Sequence, residues 1–374
     1  MRRALLTTLL ASCSSTNSAQ PPVVTTAHTV RPVTPVAAPV PASVGDLATP
    51  GRVISAHVAI AVGDTVPTDR PGYARADQEV TLYAAIVVAE GKTRLTYSDA
   101  KVLRLGGTLV TPQPLARAPR VDLRWNRIEP ALATMTNGDT PAEFRFEPID
   151  YRVTAIDGAA GKPAITADVR PTLTPDHGHG VGTMRFQLVA LQGDRMIASA
   201  GPEARRGKGS GGLTDAVARV SIRRDDSYLG FLTEMYGQPY VWASAGLSDN
   251  QHQSEHLEGS DCADFVVYGA RRMGKKLAYT WTGALPQVSK LLAAGSRGAG
   301  GAYRAKDGTP LPFTRVGDLV LFPRHVGVLA ADRGQLGVLD DQDLMMHTLF
   351  DTPKEQAIAD STYADQPLEL RRLR

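Results

Sequence analysis

The sequence predicts two folded blocks of different class: an all-β, sandwich-like block at about 51–222 and an α+β block at 223–374. Three observations lead there. Residues 51–222 hold short apolar or alternating runs of strand length, cut repeatedly by Gly, Pro, Asp and Asn, without long helical periodicity. Residues 228–272 carry apolar side chains at helical spacing, and residues 318–347 return to strand-like runs, so helices precede strands as in an α+β layer fold. Residues 13–50 are rich in Ser, Thr, Ala, Val and Pro and hold no aromatic residue, a composition that cannot build a core.

Met1-Arg2-Arg3 is a short cationic start, and Ala4 to Ala11 is an apolar run too short to span a bilayer core of about 30 Å. Leu10-Ala11-Ser12-Cys13 resembles the lipobox of bacterial lipoproteins. That resemblance implies a signal peptide at 1–12, acylation of Cys13 and a lipid-anchored location in the cell envelope, at the periplasmic face of a membrane; simple export is the alternative. The 13–50 segment then reads as a Pro-rich tether, able to extend to on the order of 100 Å at about 3 Å per residue.

In the first block, strands are expected at 53–60, 80–88, 143–146, 164–169 and 183–189. No catalytic constellation stands out. Asp176-His177-Gly178-His179 lacks the further spaced ligands of a metal site and reads as a loop. This block is expected to position the second one or to bind an envelope protein partner.

The second block opens with a helix capped by Asp226 or Ser227, with Tyr228, Phe231, Leu232 and Met235 on one face and Gly237 as its stop. Tyr240-Val241-Trp242 is a short extended piece. A second helix follows Asp261, with Phe265, Val266, Gly269 and Ala270 facing one way and Arg271, Arg272, Lys275 and Lys276 complementing its carboxyl end. Cys262 falls in its first turn, where the helix dipole favours a thiolate. Residues 284–294 are helix-forming, and strands are expected at 318–322, 326–331 and up to His347. Residues 243–261 and 295–315 are the expected groove walls.

The chain has two cysteines, and lipidation of Cys13 leaves Cys262 as the one free thiol in an oxidising compartment. A lone thiol followed by a histidine on an apolar strand, His325, is the pattern of a nucleophile and its base; a buried inert cysteine gives the same count. Asp318, at a strand entry, reads as structural. His252 and His256 are four apart, yet the polar run to Gly259 argues for a loop rather than a helical zinc pair. No metal or other cofactor is expected, and a net charge of +3 gives no sign of nucleic-acid binding.

Tyr240-Val241-Trp242, Asp261-Cys262-Ala263, Gly317-Asp318-Leu319-Val320 and His325-Val326-Gly327-Val328 together resemble the NlpC/P60 family of papain-like cell-wall cysteine peptidases, over about 225–350. The resemblance implies a papain-like catalytic domain, with Cys262 as nucleophile, His325 as base, His347 as the residue that orients the imidazole, and Tyr240 beside the thiol as a second oxyanion donor. It implies a peptidoglycan peptide substrate, cut at γ-D-glutamyl to diamino acid bonds. The chain departs from the family pattern in having Ala243-Ser244-Ala245 where a Gly pair is usual, Asp264 where a small residue is usual, and a long interval from His325 to His347. Asp340 and Asp341 are the alternatives for the third position. A thiol amidase, transpeptidase or acyltransferase, and an inactive envelope scaffold, are the alternative functions.

Overall fold

A computed structural model describes residues 51–140, 143–207 and 210–374. The expected signal segment, Cys13 and the tether lie outside the described residues. The chain is mixed α+β and mostly strand, 41% against 11% helix, and contains a curled β half-barrel.

Two sheets build the first block. In one, Arg52–Val62 pairs antiparallel with Val80–Glu90, which also pairs with Thr93–Tyr97 and Ala164–Thr166. In the other, the order is Tyr151–Ala155, Asp122–Pro130, Gly182–Gln192, Ala218–Arg223 and Gly72–Arg75, the last pair parallel. Alternate side chains from the two sheets meet in one core: Val58, Ile60, Leu82 and Ile86 from the first, Trp125, Phe186, Leu188 and Val220 from the second. Burying each such side chain stabilises by about 1.5–3 kcal/mol. The Trp125 indole N–H donates to the Lys162 carbonyl at 2.9 Å, so the largest core residue hides no unpaired donor.

In the second block, helix α1 (Tyr228–Leu232) is capped by Ser227, whose hydroxyl accepts the Gly230 N–H at 3.0 Å. One 3-10 turn later the chain reverses at Gly237, where φ is +75°. Helix α2 (Cys262–Arg272) is capped by Asp261, whose carboxylate accepts the Ala263 and Asp264 N–H groups, each at 2.9 Å. It packs on α1 and on the His325–Ala331 strand. That strand belongs to a seven-stranded antiparallel sheet in the order Tyr303–Arg304, Ser289–Arg297, Leu368–Leu373, Leu319–Phe322, His325–Ala331, Leu344–His347, Lys354–Ala357. Both faces of the sheet are covered. Leu319 and Leu321 join the core with Phe265 and Val266 of α2, while Val320 and Phe322 join Tyr303, Ile358 and Leu370 on the far side.

The helix expected over 284–294 is a correction. Helix α3 (Leu285–Val288) is one turn, and Ser289–Arg297 is a strand. The Ser289 hydroxyl donates to the Leu285 carbonyl at 2.6 Å, and residues 289–295 then pair with Leu368–Leu373. Sheet pairing overrides local propensity here.

The two blocks are joined by strand pairing. Tyr240–Trp242 runs parallel to Thr134–Thr136, and the Tyr240 N–H donates to the Ala133 carbonyl at 2.8 Å. Arg185 donates to the Gln238 side chain at 3.0 Å and to the Leu257 carbonyl at 2.9 Å. Gly182 fits against this seam because an added Cβ would lie 2.5 Å from the Tyr236 carbonyl oxygen.

Candidate active site

The cap at Asp261 sets Cys262 at the first position of α2, with its side chain buried. Its sulfur lies 3.6 Å from the Thr282 hydroxyl and beside the backbone N–H of Val326. Val326 directly follows His325, so packing α2 on this strand brings the thiol to the imidazole's end of it. His325 is fully buried, and its Nε2 lies 2.8 Å from His347 Nδ1. The two rings stand 72° apart. Tyr363 stacks on His325 at 4.8 Å between centroids, and Phe322 lies nearly parallel to it at 6.2 Å. His325 Nδ1 has no hydrogen-bond partner.

Tyr240 is buried beside this group, and its ring meets that of Phe350 at 5.2 Å. Burial, then the neighbouring Cys262 and Asp261, hold its phenolic proton far above the usual range, so it stays a donor. The fold therefore gathers Cys262, His325, His347 and Tyr240 in one place; Cys13 lies outside the described residues. Asp340 and Asp341 are engaged elsewhere. Asp340 accepts the Gln335 N–H at 2.7 Å, and Asp341 pairs with Arg297.

The electrostatics correct one expectation. Burial, with the Asp261 carboxyl next in weight, pushes the Cys262 thiol up to about 12 despite its helix start. Burial and His347 hold His325 well below its ordinary value, and burial and Lys354 hold His347 at about 4. Both shifts favour the uncharged forms, a thiol and a neutral imidazole, over a thiolate–imidazolium pair. Asp261 is itself raised well above the carboxylate range by burial and then by Asp264. Asp264 accepts the Ser244 hydroxyl at 2.5 Å and lies 3.3 Å from His252 Nε2, so its carboxylate is held by the 244–252 loop.

His252 and His256 do not converge. His252 stacks on Tyr279 at 3.7 Å, whereas His256 is turned toward Asp215. Among the described residues no group of three or more His, Cys, Asp or Glu side chains is arranged to hold a metal ion. Asp176 accepts the Gly178 and His179 N–H groups at 3.0 Å each, as a loop carboxylate does. Asp318 is structural, holding Arg372 with two bonds of 2.7 Å.

Two contact residues were not foreseen, Thr282 at the sulfur and Tyr363 on the imidazole. Neither belongs to the motif-bearing segments: Thr282 opens a 3-10 turn before α3, and Tyr363 stands in the loop before Leu368–Leu373. Two hollows are lined by neighbours of Cys262, one by Thr282 and the other by Asp261. A groove of about 650 Å³ runs from Thr282 and Phe322 to Arg304 and Lys306, and a pocket of about 380 Å³ is walled by Ser244, His252, Asp261 and Trp281. Among the described residues no helix is long and apolar enough to cross a membrane. No protein-family model, curated protein or solved structure matches the chain.

Proposed function

We propose that the protein is a lipid-anchored cell-envelope thiol peptidase of the papain-like NlpC/P60 kind that hydrolyses amide bonds in peptidoglycan stem peptides. One observation carries this reading. The buried His325 is bonded through Nε2 to His347 at 2.8 Å, its Nδ1 is left unpaired, and the next residue, Val326, touches the Cys262 sulfur. A base needs one nitrogen oriented by a partner and the other free to accept a proton.

With His325 Nδ1 free to accept, Nε2 carries the hydrogen and donates it to His347 Nδ1. The thiol proton passes to His325 Nδ1 as sulfur bonds to the scissile carbonyl carbon and the carbonyl π pair moves onto oxygen. The Cys262 N–H, one of the donors a helix leaves free at its start, and the Tyr240 hydroxyl stabilise that oxyanion. Collapse expels the amine, which takes the proton from His325. Water, deprotonated by the same imidazole, then attacks the thioester, releasing the acid and restoring the thiol. Because both partners start neutral, the proton moves during attack.

The test is a digest of defined muropeptides read by mass spectrometry, beside a Cys262→Ala control. Fragments split within the stem, absent from the control, are expected. Intact stems with altered acyl or cross-link mass would replace hydrolysis by transfer, and unchanged stems would overturn the reading.

A further inference from the structure

The groove of about 650 Å³ crosses the sheet rather than following a strand. Its walls come from four neighbouring strands: Leu321 and Phe322, then Leu368 and Glu369, then Ala294 to Ser296, then Arg304. At one end Thr282 touches the Cys262 sulfur and Phe322 packs against His325. At the other stand Arg304 and Lys306, both exposed. Arg304 donates to the Gly308 carbonyl at 2.9 Å, and no carboxylate among the described residues pairs with either cation. The acid in the groove is already matched, because Glu369 is bonded to the Arg371 guanidinium at 2.5 Å. The floor between the two ends is apolar or backbone. The volume suits a short extended peptide, in the range of about 300–1,000 Å³ for ligand sites.

Four strand spacings of about 4.8 Å separate the Arg304 strand from the His325 strand, roughly 19 Å along the sheet. Long Arg and Lys side chains shorten that reach. A ligand seated at the thiol therefore meets the two cations a few residues away from the bond that reacts.

We infer that this groove is the binding site for the carboxylate-bearing arm of the substrate, and that Arg304 and Lys306 select stems with free carboxylates over stems whose carboxylates are amidated. The inference rests on the peptidase reading and names the substrate class of the same site.

Binding without turnover tests it. Full-length Cys262→Ala protein is titrated calorimetrically with one stem peptide in two forms, free acid and amide. The acid form is expected to bind about five- to tenfold tighter, as two partly exposed ion pairs allow. That preference should collapse below about twofold in Cys262→Ala carrying Arg304→Glu and Lys306→Glu, and partly in the Gln versions. Both cations are exposed, and melting curves of each variant check the fold. Equal or undetectable binding of the two forms, or a preference that survives charge reversal, would overturn the inference. Acid-selective binding without stem cleavage by the unmodified protein would sink the peptidase reading alone. Cleavage indifferent to amidation would sink the carboxylate site alone.

Discussion

Burial decides how the reactive residues rest. Cys262, pushed up to about 12, and His325, held well below its ordinary value, are both neutral near pH 7. Iodoacetamide is therefore expected to alkylate Cys262 at pH 7.5 more slowly than free cysteine, whose thiol ionises near 8.5. The rate should still be climbing past about pH 10. A rate matching free cysteine at pH 7.5 would show that burial does not hold the thiol above its ordinary range. The histidines also link stability to pH. His347, held at about 4, binds protons less readily folded than unfolded, where the value is about 6.5. The unfolded chain takes up the proton first as pH falls, so this contribution is complete above about 6.5 and lost toward 4. The melting temperature of His347→Asn should fall less between pH 7 and pH 4.5 than that of the unmodified protein. Equal slopes would remove His347 from the account.

Among the elements, those whose signals are local were legible in the sequence. Ser227 and Asp261 cap the two helices as their side chains and positions announce, and the apolar spacing of Phe265 and Val266 gives the buried face of α2. Strands 319–322 and 325–331 read directly from their apolar runs. The strands at 289–297 and 368–373 did not, because each is fixed by the other across about 80 residues. Thr282 and Tyr363 were missed because they lie in a 3-10 turn and a loop that carry no motif, far along the chain from the residues they touch. The resting charge of the thiol was hidden too, since burial is a property of the packed structure. One local strain is visible in the backbone. Ala243 has φ of +55°, in the left-handed region that favours glycine. That conformation costs an L-residue about 1–2 kcal/mol, part of which a glycine gives back through its greater freedom when unfolded. Ala243→Gly should raise stability in urea by about 0.5–1 kcal/mol; a loss would mean that the Cβ contributes packing.

Across the whole molecule the first block braces the loop that follows Trp242. Asn137 is fully buried; its amide donates to the Ala243 carbonyl at 2.9 Å and to Gln253 at 2.8 Å, while its oxygen accepts the Glu147 N–H at 3.1 Å. Asn137→Ala strands these groups at about 1–3 kcal/mol each, so urea unfolding of the full chain should lose more than about 2 kcal/mol. A change under about 0.5 kcal/mol would show the seam to be dispensable. The sheet adds a matter of timing. Leu368–Leu373 is last of its seven strands in chain order yet stands third in space, between Ser289–Arg297 and Leu319–Phe322. Until it inserts, the two halves of the sheet have no shared edge, and the groove that spans them has no floor. A chain that folds from its amino end thus holds Cys262 before the groove beside it exists, and completes that groove only as this last strand docks.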